Sequence, residues 1–214
     1  ELNVIVGTKW TPTPGLVDEL EYMLVYPYWT VPRSIATNEI LPKVKKDSTY
    51  LEKKGFKVLD DSHHVMDANA INWEEITANN LKYKFRKDGG TSNDLGLIKF
   101  IFPNTTNVYM HDTPSKSLFR KDERAFSHGC VRVQDPLTLA AYLTERDSNE
   151  TRIGDIDTLI MNKQRAVINL KRKVPVFLGY FTCEADTDHN ILFYGDVYGR
   201  DERIKEALFG KMAG

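Results

Sequence analysis

Cysteine is scarce in this chain, with 2 among 214 residues. That excludes a small scaffold knit together by several bridges. Cys130 and Cys183 allow one bridge at most, and both are expected to stay free, with Cys183 in VFLGYFTC a buried strand residue acting as a small hydrophobe. Long apolar runs are missing too. Tyr22 to Trp29 is the most apolar stretch, and nothing approaches the roughly 18 residues of a spanning helix. Neither charge is in excess: 29 Lys and Arg against 30 Asp and Glu leave a net charge of -1, which argues against nucleic acid or an anionic membrane as partner. There is no glycine-rich phosphate loop, internal repeat or low-complexity tract. His63, His64 and His189 lack partners at metal-ligand spacing, so no metal site is expected, and nothing calls for a cofactor. The chain begins at Glu1 with no signal-like apolar segment, which leaves room for a leader removed before residue 1.

What is present is apolar material, 41% of residues, sufficient for one domain with a sizeable core. LNVIVG reads as a strand from Leu2 to Gly7, with Glu21 to Val25 as its expected partner across a Thr-Pro-Thr-Pro-Gly turn. Ser34 or Thr37 is expected to cap a helix through Ile40 and Leu41, limited upstream by Pro42, and Tyr50 to Lys54 is a short helix closed by Gly55. Phe56 to Leu59 reads as a strand, and Asn72 to Asn79 as a helix opened by an Asn-x-x-Glu box. Leu97 to Phe102 suits a strand buried on both faces, turned by Pro103 to Asn107 into an antiparallel strand ending at His111. Pro136 to Arg146 and Ile153 to Asn162 read as helices. Arg165 to Leu170, Val174 to Glu184 and Asn190 to Tyr198 read as closing strands, and Glu202 to Lys211 as a final amphipathic helix. The total is a β-rich α+β chain, mainly β with helices.

One stretch, Tyr109 to Asp135, concentrates the chemistry. His111 ends the run Val108-Tyr109-Met110, and Cys130 follows in Ser127-His128-Gly129-Cys130-Val131-Arg132-Val133. By residue type alone a cysteine is more often a buried packing residue. The neighbouring His-Gly turn and the upstream histidine reverse that reading, because a thiol attacks a carbonyl only with a base at hand. Both His111 and His128 are candidates for that base. Gly129 can adopt a positive φ and let the N–H groups around it converge on an oxyanion. Arg132 lies two residues after Cys130 and Tyr109 two before His111, so each shares a face with its neighbour in extended chain. Tyr109 reads equally well as a core aromatic, and Ser127 as a residue that bonds within the turn.

The sequence HDTP…SHGCVRV resembles the signature of the L,D-transpeptidase family with a YkuD-type catalytic domain, in which a histidine precedes a Ser/Thr-His-Gly-Cys turn. VIVG, PYWTVP, ILPKV and WEEITANNL are similar to its larger periplasmic branch, and the likeness runs from about Val4 to about Tyr198. The resemblance implies a mixed, sandwich-like sheet in a single catalytic domain over 1–214, a small helical cap inserted at 38–85, and further strands upstream of VIVG. It implies Cys130 as nucleophile, His111 as base, His128 and Gly129 in the catalytic turn, and Arg132, Tyr109 and Ser127 as substrate-binding residues. The implied reaction is attack on the L,D amide of a peptidoglycan tetrapeptide stem and transfer of the acyl group to an amine of a second stem. An L,D-carboxypeptidase that uses water instead, or a wall-binding module without activity, are the alternatives. Carbapenem β-lactams follow as inhibitors, the periplasm or cell envelope as location, and a monomer as the state. Papain-like peptidases place cysteine before histidine, the reverse of the order here.

Overall fold

The structure is a computed structural model that describes residues 1–147 and 153–210. In chain order its strands are β1 Val4–Gly7, β2 Leu16–Val25, β3 Trp29–Thr30, β4 Phe56–Leu59, β5 Val65–Met66, β6 Lys84–Lys87 and β7 Ile98–Ile101. They continue with β8 Met110–His111, β9 Ala125–Ser127, β10 Val131–Val133, β11 Ala166–Leu178, β12 Cys183–Ala185 and β13 Ile191–Phe193. A large mixed sheet takes the order β11-β2-β7-β8-β10-β1-β9. β8 runs parallel to β10 and antiparallel to β7, so it lies at the join between the two pairing modes. With several helices beside it, the architecture is the β-rich α+β class that the sequence implies.

The core on one side of this sheet joins Met23 and Val25 of β2, Ile98 and Phe100 of β7 and Ile168 of β11 to Ala140, Leu143 and Ile156 of two helices. The first helix, Pro136–Arg146, starts where expected: Asp135 accepts a hydrogen bond from the Thr138 N–H, and Pro136 occupies a position whose N–H has no helical partner. Burying each of the larger of these side chains stabilises the fold by about 1.5 to 3 kcal/mol. A second core gathers Val31, Ile40, Leu41, Val44, Leu51, Val58, Trp73 and Phe85. It lies between short helices and a separate sheet ordered β3-β6-β4-β5, so strands stand beside the helices expected in this region.

Several local expectations need correction. β1 pairs with β10 and β9, not with the Glu21 to Val25 segment. Both edges of β2 are filled by β7 and β11, and the threonines of the intervening turn bond to the Ser127–Gly129 loop, which carries β1 to the other end of the sheet. Around Pro42 the chain is helical from Arg33 to Lys46, with a π turn over Ala36–Ile40. There the Leu41 N–H reaches back to the Ala36 carbonyl, and the widened turn accommodates the ring that would clash in a regular helix. Neither Ser34 nor Thr37 caps it; the Thr37 hydroxyl donates to the Arg33 carbonyl.

Asn72 does bond to Glu75, yet only a 3-10 turn, Trp73–Glu75, forms. Asn80 takes the Thr77 N–H that a helix would need, and Trp73 turns inward with its indole N–H on the Ala68 carbonyl. The two segments Arg165 to Leu170 and Val174 to Glu184 resolve into one long strand, β11, whose register shifts between Asn169 and Val174. As the edge of the sheet β11 tolerates Pro175, and the chain leaves it at Leu178. Cys183 falls on the separate β12–β13 hairpin and is exposed, not buried. The last helix is Asp201–Phe209, and the expected end at Lys211 lies outside the described residues. No helix among the described residues is long and apolar enough to cross a membrane.

Candidate active site

Strand pairing assembles the site. Arg132 of β10 and Lys99 of β7 both stand opposite His111 of β8. Alternate residues share a face, so Tyr109, His111, Cys130, Arg132 and Lys99 come to one side of the sheet. All five line a cavity of about 1170 Å³ whose other wall is built by Tyr28, Trp29, Ile35, Glu39 and Tyr50 from the region of the second core. β7 is therefore not buried on both faces. Ile98 and Phe100 are fully buried in the core, while Lys99 faces the cavity.

His111 is buried, and its Nδ1–H donates to the backbone carbonyl of Asp112 at 2.5 Å. That bond fixes the tautomer and leaves Nε2 as the acceptor. The Asp112 carboxylate is itself held by the N–H groups of Leu97 and Thr113 and by the Lys116 ammonium. Gly96 makes this possible, since a Cβ there would lie 2.2 Å from Asp112 Oδ2. Burial, reinforced by the cationic Arg132 and Lys99, pushes the His111 imidazole down to about 4. Burial likewise pushes the Cys130 thiol up, against hydrogen bonding from Tyr109 and the charges of Lys99 and Arg132. Near neutral pH the unliganded pair is thus a thiol and a neutral imidazole, not an ion pair.

The turn before β10 is tightly tied. The Ser127 hydroxyl donates to the Cys130 carbonyl at 2.5 Å and accepts the Gly129 N–H at 3.1 Å, so it closes the turn within itself. Gly129 has φ of 111°, a region that favours glycine. His128, half-exposed, directs Nε2 to Glu39 Oε1 at 2.6 Å, joining the turn to the π-helical segment across the cavity. Of the two histidines, only His111 has its Nδ1 anchored in the sheet beside the cysteine strand.

Cations crowd the cavity. Glu39 is engaged by His128, and Asp94 by Lys87 at 2.7 Å. Lys99, Arg132 and Arg165 all line the same space, and among the described residues none of them has a carboxylate within ion-pair distance. The Arg132 Nε is buried with no hydrogen-bond partner at all. Lys99 lies over the Tyr109 ring at 4.9 Å, and burial with Arg165 nearby lowers its pKa. Lys99, Arg165 and Glu39 escaped the sequence reading. Only the lysine inside an otherwise apolar strand signalled that one of them had a task.

Both cysteines are free, so counting thiols on denatured, unreduced protein should find two. A count of zero would contradict the structure.

The β-rich fold thus brings a thiol, an imidazole and three cations into one cavity. The model of the L,D-transpeptidase catalytic domain, YkuD, matches residues 1–175, and the chain belongs to that family. It is also 36% identical over 208 residues to a Haemophilus influenzae protein provisionally named an L,D-transpeptidase, covering 97% of this chain and 41% of that relative.

Proposed function

We propose that the chain is a cysteine-dependent L,D-transpeptidase acting on peptidoglycan stem peptides in the cell envelope. Cys130 Sγ attacks the carbonyl of the L,D amide of a tetrapeptide stem while its proton passes to His111 Nε2. The developing oxyanion is held by the backbone N–H of Cys130, since the Gly129 N–H is already given to the Ser127 hydroxyl. Collapse breaks the C–N bond, and the imidazolium gives the proton to the departing D-alanine amine. An amine of a second stem then attacks the thioester, gives up a proton to His111, and leaves with the acyl group as Cys130 regains its thiol.

The observation that carries this reading is that the tautomer-locked His111 and Cys130 line one cavity with three cations that, among the described residues, have no carboxylate within ion-pair distance. Stem peptides carry several carboxylates, and the half-buried Arg132, whose Nε is itself buried and empty, fits one of them. Tyr109 lies with Lys99 on the binding face, and Ser127 holds the turn. The part of the opposite wall that comes from the 38–85 region, Glu39 and Tyr50 among it, serves as a cap that limits water, which favours an amine over hydrolysis. Carbapenems, with a strained amide carbonyl, are expected to acylate the same sulfur, and the enzyme to act as a monomer without cofactor. Incubation with disaccharide-tetrapeptide and mass analysis of products tests the reading. A cross-linked dimer with release of D-alanine is expected. Tripeptide alone would make the protein a carboxypeptidase, and an unaltered substrate would make it a binding module.

A further inference from the structure

The family match ends at residue 175, yet the chain beyond it reaches back to the catalytic turn. The Tyr198 hydroxyl donates to the Gly7 carbonyl at 3.0 Å and accepts the Thr13 N–H at 3.2 Å. Thr13, itself buried, accepts the Gly7 N–H at 2.9 Å and donates its hydroxyl to the Gly129 carbonyl at 2.8 Å. Tyr198 is thus joined through Thr13, by the backbone N–H of Thr13 on one side and its hydroxyl on the other, to the peptide unit that joins Gly129 to Cys130. Bonds to both ends of one buried residue hold it, and what it binds, in one geometry.

Tyr198 is held firmly for the task. Its ring stacks on Tyr180 with centroids 4.9 Å apart, and its N–H donates to the Tyr180 hydroxyl, which in turn donates to Asp196. The Arg200 guanidinium lies over both rings. On the other side Gly7 is packed so closely that an added Cβ would lie 2.0 Å from the Thr11 carbonyl oxygen and 3.0 Å from the Gly129 Cα. The turn therefore cannot shift toward β1, and Thr13 fixes its carbonyl.

We propose that Tyr198 and Thr13 form a strut that sets the Gly129–Cys130 peptide plane and so aims the Cys130 N–H, making the segment after residue 175 part of the acyl-transfer apparatus. The peptide unit is planar and trans, so its carbonyl and N–H point in opposite directions. Pinning the Gly129 carbonyl to Thr13 directs the Cys130 N–H away from that loop, and this N–H is the oxyanion donor named above. The inference rests on the reading of Cys130 as acyl acceptor. Tyr198 and Thr13 are positioning residues, since neither is required to touch substrate. Misplacing a catalytic group by about 1 Å can cost on the order of 100-fold, and a loosened donor should cost less than a deleted one.

The test compares two reactions of the same sulfur in the full chain. Acylation by a carbapenem passes through an oxyanion, whereas alkylation by iodoacetamide does not, and peptide mapping separates Cys130 from Cys183. Tyr198→Phe keeps the stacked ring and removes the hydroxyl; Thr13→Val removes the next link, and Thr13→Ser retains it. In Tyr198→Phe and Thr13→Val the maximal acylation rate should fall roughly 10- to 100-fold, with half-saturating carbapenem little changed and alkylation of Cys130 as in the wild type. Thr13→Ser should behave as the wild type, and the double variant should lose little more than either single one. Equal loss of acylation and alkylation, wild-type acylation in both hydroxyl-deleted variants, or a Thr13→Ser defect matching that of Thr13→Val would overturn the strut. A wild-type protein that is alkylated at Cys130 but never acylated would instead remove the acyl-transfer reading, and the strut's role with it.

Discussion

Cys130→Ala is expected to fold and to take up no acyl group from a carbapenem or a tetrapeptide stem, while Cys183→Ala takes it up at the wild-type rate. The expectation follows from placement. Cys130 lines the cavity with His111, Lys99, Arg132 and Arg165, whereas Cys183 is exposed on a separate hairpin. His111→Ala should slow acylation by about 10²- to 10⁴-fold, the usual worth of a positioned general base. Here the thiol is raised by burial, so a thiolate does not exist in advance and the proton needs an acceptor as the bond forms. His128→Ala should cost less, because its Nε2 is bound to Glu39 and its loss loosens the far wall of the cavity without removing a proton acceptor. Intact-mass time courses of the variants measure all of these. A larger defect in His128→Ala than in His111→Ala would reverse the assignment of the base.

The second large effect concerns pH. An ordinary histidine titrates near 6.5, but His111 is held neutral to about 4 by burial and neighbouring cations. Acylation should therefore show no step near pH 6.5, and should rise with pH as more of the raised thiol ionises. Stability carries the opposite face of the same shift. The unfolded histidine binds its proton below about 6.5 and the folded one only below about 4, so between these values the unfolded state holds more protons. The contribution of the neutral buried imidazole is complete above about 6.5 and is lost as pH falls toward 4. At pH 4.5 it should amount to a loss of roughly 2 to 3 kcal/mol relative to pH 7. Urea unfolding of wild type and His111→Gln at the two pH values isolates it from the carboxylates. The difference between the proteins should narrow at pH 4.5, and a difference independent of pH would show that His111 is not buried in the neutral form.

Local chemistry is what the sequence revealed. The Asp135-Pro136 helix start, the Asn107 turn and the glycine at 129 carry their signals within four residues, and each is where it was expected. Signals that depend on distant partners were hidden. Lys99 meets His111 only through the β7–β8 register, Glu39 meets His128 across 89 residues, and Tyr198 meets Thr13 across 185. β1 was misplaced because a turn cluster implies a hairpin unless its side chains are claimed elsewhere, and here Thr11 and Thr13 are claimed by the Ser127 and Gly129 carbonyls. The Asn72 to Asn79 helix failed for a similar reason: a capping box starts a helix, but Trp73 and Asn80 had other partners. Cys130 and His111 were legible as candidates, residue types at a spacing, while the empty Nε of Arg132 needed the folded cavity.

Brief incubation with disaccharide-tetrapeptide, rapid acid quench, and intact-mass measurement with peptide mapping tests Cys130 as acyl carrier most directly. The expected result is an added mass equal to the disaccharide-tripeptide acyl group, located on Cys130 and on no other residue, and absent from Cys130→Ala. Release of D-alanine with no covalent adduct at any quench time, or an adduct on Cys183, would contradict it.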